Sequence, residues 1–217
     1  MYSVAQTQVR LFNDTELVFL FSGGKDAIAA AHLWRKYYTG PDPIYIYLYF
    51  VDGLDYVERT LKYYEKLWNI KIERRPCEEH LNLEAKQQGL RKQCNRMSDI
   101  ERGLRSEFNR DWIISGIKRA DSLARRGMLK TAVDGVSQKD RKIYPLIDWS
   151  HKQAFAYCSL NKLPLSIFYG LGKKTSIWVP TLNDMLIIRT HFPHDYAKIV
   201  AKFPEMEHNV FRLEAKL

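Results

Sequence analysis

Five consecutive residues, Ser22-Gly23-Gly24-Lys25-Asp26, carry the chemistry that is easiest to name in this sequence. Gly23 and Gly24 tolerate positive φ and let the backbone approach an anion, while amides at the start of a following helix point toward it. The helix dipole favours negative charge at that point, Lys25 adds a full positive charge, and Ser22 adds a hydroxyl. Such a loop is built to hold phosphate. It is not a Walker A motif, because Gly-x-x-x-x-Gly-Lys-Ser/Thr is absent, and it is not Gly-x-Gly-x-x-Gly either. ATP hydrolysis of the motor or switch kind is therefore not indicated.

The loop needs a strand before it and a helix after it, and the sequence offers both. Leu17 to Phe21 is a short continuous apolar run, as expected of a strand buried on both faces, and Ala27 to Tyr38 has Ala-rich helical composition. Thr39-Gly40-Pro41-Asp42-Pro43 ends that helix, Ile44 to Val51 reads as a second strand, and Asp52-Gly53 closes it. A second helix is expected from about Tyr56 to Trp68, with Leu61, Tyr64, Leu67 and Trp68 on one face, then a short strand at Ile70 to Glu73. Pro76 to Arg91 is polar and shows no clear period. Ser98 to Arg110 resembles a helix capped by Ser98 with Glu101 three residues on, and Trp112 to Gly116 is a third buried strand. Ile143 to Trp149 precedes a helix capped by Ser150 that runs to about Asn161. Repeated βα units with right-handed crossovers predict a doubly wound, mostly parallel, Rossmann-like α/β fold with its site at the carboxyl ends of the strands. One domain over residues 1–217 is expected. Residues 163–217, punctuated by Pro164, Pro180, Pro193 and Pro204, form a helical C-terminal extension folded back on the sheet.

Composition narrows the class. No apolar run approaches the roughly 20 residues of a membrane-spanning helix, and Met1 to Asp14 lacks a secretion signal, so a soluble, cytoplasmic protein with no membrane partner is expected. The net charge of +9 points to an anionic partner. Basic residues gather in Lys86 to Arg110, which a solvated helix face would explain, and in Lys118 to Lys142. Cys77, Cys94 and Cys158 are odd in number and widely spaced, giving neither a disulfide framework nor a Cys-x-x-Cys pair. Cys158, beside Phe155 and Tyr157, reads as a core thiol, whereas Cys94, near Arg91, Lys92 and Arg96, is the thiol to test for reactivity. Of six histidines only His191 and His194 lie close, with Asp195 as the sole further zinc ligand in reach, and they read as ordinary polar residues.

In these stretches the sequence resembles the PP-loop, or N-type ATP pyrophosphatase, superfamily, and within it the phosphoadenosine phosphosulfate (PAPS) reductase-like family. The likeness runs from about Leu17 to Arg212. Ser22 to Asp26 is similar to the family's phosphate loop, with Ala27 where a serine is common. Asp52-Gly53-Leu54-Asp55-Tyr56 resembles the strand-end segment near the nucleotide, without the usual intervening Thr. Ser115 to Ser122, which holds Gly116, Lys118 and Arg119, and then Arg125 and Arg126, resembles the basic loop that closes over phosphate or sulfate. Tyr144 to Trp149 and Leu163-Pro164-Leu165 resemble the segment that packs the helical part on the sheet.

The resemblance implies an adenine nucleotide, ATP or a PAPS-like one, with Mg²⁺ bridging phosphate oxygens; Asp26 or Asp52 would hold the metal, or Asp26 would only cap the helix. Lys25, Asp26, Lys118 and Arg119 are the implied catalytic groups. Ser22, Gly23, Gly24, Asp52, Gly53, Gly116, Arg125 and Arg126 would bind the nucleotide. Two departures matter. No cysteine follows Cys158, so the C-terminal Glu-Cys-Gly segment that reduces sulfonucleotides is missing, and Ser176 to Pro180 lacks the Cys-rich turn of relatives, so neither an iron–sulfur cluster nor zinc is expected. The leading expectation is cleavage of ATP at the α-phosphate, with adenylyl transfer to an unspecified acceptor and release of pyrophosphate. Two alternatives stand beside it: a sulfonucleotide reductase with its thiol from Cys94 or a partner, and a non-catalytic, nucleotide-dependent module engaging nucleic acid or a DNA-bound protein. A homo-oligomer is left open.

Overall fold

The computed structural model describes residues 12, 15–90, 95–172 and 179–214. Cys94, with Arg91 and Lys92, and Ser176 to Trp178 lie outside the described residues.

A sheet of six strands forms the centre: β1 (Leu17–Leu20), β2 (Ile44–Tyr49), β3 (Ile72–Pro76), β4 (Trp112–Ser115), β5 (Val136–Ser137) and β6 (Lys142–Ile143). Their spatial order is β3-β2-β1-β4-β6-β5. All neighbours are parallel except β5, which pairs antiparallel with β6 at the edge. The chain thus moves outward from β1 through β2 to β3, then returns to lay β4 on the other side of β1. Loops leaving β1 and β4 must diverge there, and an open α/β sheet has its crevice at such a reversal.

Strand alternation divides the core in two. Leu17, Phe19 and Phe21, with Tyr45 and Tyr47, face one layer, where α1 (Lys25–Tyr37), α2 (Asp55–Trp68) and α6 (His151–Leu160) bury Trp34, Leu61, Tyr64 and Cys158. Val18, Ile46 and Leu48 face the opposite layer, filled by Leu104 of α4 (Met97–Phe108) and by α8 (Leu182–His191), α9 (Pro193–Lys202) and α10 (Glu205–Glu214). The residues of these C-terminal helices thus pack against one face of the sheet. Between these elements come α3 (Glu78–Gln87), α5 (Leu123–Met128) and α7 (Ile167–Gly170).

Three local expectations change. Residues 76–91 contain α3, which the sequence hid because only His80 and Ala85 are buried on it. The helix after it starts at Met97, and its first turn is capped by Asp99, which accepts the Arg96 amide at 3.1 Å. Glu101, expected in a capping box, is instead buried against Lys142 at 2.7 Å. The Ser150 cap stands as expected: its hydroxyl accepts the Gln153 amide at 3.2 Å, and the Gln153 side chain accepts the Ser150 amide at 2.7 Å.

Candidate active site

The loop leaving β1 enters the crevice with only one of its glycines in the left-handed region: Gly23 has φ +69°, whereas Gly24 is the extended N-cap residue of α1 at φ −82°. Ser22 does not reach outward; its hydroxyl accepts the Gly24 amide at 3.4 Å. The Lys25 amide donates to the hydroxyl of Tyr169 at 3.0 Å. That leaves Asp26 and Ala27, whose amides have no protein acceptor among the described residues, as the free donors of the helix start.

Gly116, one residue beyond β4, explains how the second loop reaches the first. A Cβ on Gly116 would lie 3.0 Å from the Ala27 nitrogen and from the Asp26 carbonyl carbon and oxygen. Only a glycine lets the end of β4 touch the first turn of α1, and the contact carries Lys118 into the loop.

The result is a buried ionic cluster. Lys25 is 1% exposed and Lys118 0%. Both ammonium groups lie 2.9 Å from the same carboxylate oxygen, Oδ2 of Asp26. Lys118 also pairs with Asp121, whose other oxygen accepts the Lys118 amide at 3.0 Å. His151 stands 4.0 Å from Asp121, and Phe155 places its ring 5.3 Å from the Lys25 ammonium. The second oxygen of Asp26, Oδ1, is buried without a hydrogen-bond partner. Two cations and two anions thus share the floor of the crevice, beside two unengaged amides.

As a metal site the cluster fits poorly. Asp26, Asp121 and His151 each offer a ligand atom within 4.8 Å of the others. Lys118, however, is bonded to both carboxylates, so its ammonium fills the place between them that a cation would take. The Mg²⁺ role expected of Asp26 gives way to that of a shared counter-ion.

The remaining expected residues are placed less centrally. Arg119 pairs with Asp148 and donates to the Leu129 and Ala132 carbonyls at 3.3 and 3.1 Å, tying down the following segment rather than facing the loop. Arg125 and Arg126 lie on the exposed α5, where the Arg125 amide is capped by Ser122 at 3.1 Å. Asp52 is exposed at the end of β2, and Gly53 takes φ +65°. The Gly53 carbonyl accepts the Lys198 ammonium at 2.7 Å. Asp195, 1% exposed, accepts the Asp55 and Tyr56 amides at 2.8 and 3.0 Å, so the residue weighed beside His191 and His194 as a zinc ligand is the cap of α2. Asp121, Tyr169, His151 and Lys198 were not singled out as part of the site from sequence; Tyr169, His151 and Lys198 act through partners far away in the chain, and Asp121 through Lys118, whose place in the site depends on Asp26.

Cys158 is buried and its thiol contacts the Lys25 carbonyl at 3.5 Å. Burial, and then the nearby Asp26 charge, pushes its pKa up to about 12; burial does the same to Cys77. Both thiols stay protonated at neutral pH and are poor nucleophiles.

A glycine-bearing strand-to-helix loop and a lysine delivered from the neighbouring strand, meeting where a parallel sheet reverses its order, define a Rossmann-like α/β protein of the PP-loop kind. The comparisons carry this to a family: residues 16–214 match the phosphoadenosine phosphosulfate reductase domain, and the chain belongs to that family. An uncharacterized protein of Methanocaldococcus jannaschii is 25% identical over 156 residues, which are 70% of this chain and 38% of that protein. The chain thus spans less than two fifths of the curated relative it matches.

Among solved structures, PAPS reductase from Candida auris in a phosphate complex aligns with a TM-score of 0.57 at 16% identity, covering 83% of this chain and 90% of the other. The U34-tRNA thiolase NcsA of Methanococcus maripaludis gives 0.54 at 15%, over 95% and 78%. FMN adenylyltransferase from Candida glabrata in complex with ATP gives 0.53 at 13%, over 77% and 56%. At these identities the likeness is one of fold. It still corrects the expectation that no iron–sulfur cluster goes with this chain: the thiolase is described with its [4Fe-4S] cluster, so the lack of a Cys-rich turn does not dispose of one.

Proposed function

We propose that the protein binds an adenine nucleotide at the loop of residues 22–27 and cleaves ATP at the α-phosphate, passing the adenylyl group to an acceptor and releasing pyrophosphate. The observation that carries this reading is the pair of fully buried lysines, Lys25 and Lys118, held 2.9 Å from one Asp26 oxygen beside the Asp26 and Ala27 amides, which have no protein acceptor among the described residues. In this reading the polyphosphate enters over the amides, its oxygens displace Asp26 from the two ammonium groups, and the lysines neutralise charge as it develops on the departing pyrophosphate. Ser22, Gly23, Gly24 and Gly116 shape the cradle, and Asp52 and Gly53 border the rest of the nucleotide. Arg119 anchors the base of the basic segment, from which Arg125 and Arg126 close over the phosphates. That an adenylyltransferase of this fold has been captured with ATP supports the reading.

The protonated, buried state of Cys77 and Cys158 counts against sulfonucleotide reduction by either thiol. Radiolabelled ATP decides between the reactions. Labelled pyrophosphate should appear in an acceptor-dependent manner, and Lys25→Ala should slow its release by about 10²-fold or more, the usual cost of a lost charge-stabilising group. Thioredoxin-dependent release of sulfite from PAPS, without pyrophosphate from ATP, would replace adenylyl transfer with reduction. DNA binding that is unchanged in Lys25→Ala, with no turnover of either nucleotide, would leave only the binding-module alternative.

A further inference from the structure

A cavity of about 370 Å³ opens along α2, where Arg59, Thr60, Tyr63 and Tyr64 face Pro164 and Ile167. That volume falls in the range of roughly 300–1,000 Å³ typical of small-molecule sites. The cavity and the phosphate loop meet at Thr60, which lines the cavity and packs against Gly23: a Cβ on Gly23 would sit 3.5 Å from Thr60 Cγ2 and 3.6 Å from Leu61 Cδ2. One side chain separates the two spaces.

The walls state what would bind. Tyr64 spends its hydroxyl on the Pro164 carbonyl at 2.7 Å, which holds the far wall in place, and its buried ring backs that wall against Phe21 and Trp68. Tyr63 stands edge-on to Tyr64 with centroids 5.2 Å apart and remains 44% exposed, so a ring face is open to a planar ligand. Arg59 supplies the contrast. Arg74, on the strand next to β2, is gripped by Glu58 and Glu65, and Arg35 is paired with Asp42. Arg59 has no acidic partner among the described residues. An unpaired guanidinium on a largely aromatic wall recognises a carboxylate or phosphate by forked hydrogen bonds, and the adjoining ring by stacking.

We propose that this cavity is the acceptor site, and that the acceptor is a small, planar, anionic molecule: an aromatic or heteroaromatic ring against Tyr63, bearing a carboxylate or phosphate paired with Arg59. The inference rests on the adenylyl-transfer reading. A hydroxyl or second acidic oxygen on the ring, directed past Thr60, bonds to the α-phosphorus. The bond from that phosphorus to the bridging oxygen breaks and pyrophosphate departs with the electron pair; a hydroxyl acceptor gives its proton to water, and an already ionised oxygen has none to give. A macromolecular acceptor is not needed to fill the space.

Calorimetric titration of the full chain with 2-naphthoate and with uncharged 2-naphthamide, in the absence of nucleotide, tests the cavity alone. Wild type should bind the carboxylate more tightly than the amide. Arg59→Gln should weaken 2-naphthoate by about tenfold and leave 2-naphthamide unchanged, the effect of one lost charged contact. Tyr63→Ala should weaken both. Equal binding of naphthoate by wild type and Arg59→Gln, or binding of neither probe, overturns the proposal. ATP titrated against the same proteins separates it from the underlying reading. If ATP does not bind wild type while naphthoate binding still requires Arg59, adenylyl transfer falls and the anion site stands. If Arg59→Gln abolishes ATP binding instead, the cavity belongs to the nucleotide and the acceptor assignment falls.

Discussion

Replacing Gly116 by alanine tests whether the meeting of the two loops is what builds the site. The added methyl would lie 3.0 Å from three backbone atoms of Asp26 and Ala27, and backbone at a helix start cannot swing aside as a flexible side chain would. The strain of inserting a methyl into such a contact is about 1–3 kcal/mol. For a chain of this size each kcal/mol lowers the melting temperature by about 2–4 °C, so a fall of roughly 2–12 °C is expected. Retreat of the β4 end would also carry Lys118 away from Asp26 and weaken ATP binding. Gly103 provides the opposite sign. It lies on the exposed side of α4 with nothing within 4 Å of its would-be Cβ, so Gly103→Ala should raise stability by about 0.5–1 kcal/mol through helix propensity and leave ATP affinity untouched. Differential scanning calorimetry and nucleotide titration on the two variants read both effects. A Gly116→Ala protein that melts like wild type and binds ATP equally well would refute the claim that close approach at this glycine positions the lysine.

Asp195→Ala removes the acceptor for two α2 amides and should cost about 0.5–2 kcal/mol as a lost cap; hydrogen exchange should rise at Asp55 and Tyr56 before it rises elsewhere. The thiol reagent iodoacetamide at pH 8 should leave Cys77 and Cys158 unmodified in the native protein and alkylate both in denaturant, which peptide mapping would show. The same two thiols predict an alkaline limb of stability. Their folded pKa values, about 12, stand above the unfolded value of 9.0, so the unfolded chain releases protons first and stability falls as pH rises from about 9 toward 12; Cys158→Ala should flatten part of that slope in urea melts at stepped pH.

The order of βα units was legible because it rests on local composition. Leu17 to Phe21 and Trp112 to Ile114 are apolar runs bounded by polar residues, and their partners on both faces make each of these positions apolar. The hairpin of β5 and β6 escaped because two-residue strands carry no period, and they lie at the end of the basic stretch that begins at Lys118. α3 escaped for the opposite reason: it sits at the margin of the sheet, and with two buried residues it has no apolar stripe to detect.

The site divides along the same line. Ser22 to Asp26 announces itself because backbone conformation and helix start are local properties, yet what Asp26 does is set by Lys118 on another strand. Burying two ammonium groups without counter-ions is far more costly than burying them paired. Asp26 and Asp121 are therefore what allow Lys25 and Lys118 to stand charged at the floor of the crevice. On the proposed reading, a polyphosphate would meet a cluster already balanced and would bind by exchanging one anionic partner for another rather than by filling a cationic void. That exchange makes specificity depend on geometry. On that reading a ligand would have to reach the Asp26 and Ala27 amides and both lysines together to displace the carboxylate, which the length of a tri- or diphosphate chain would allow.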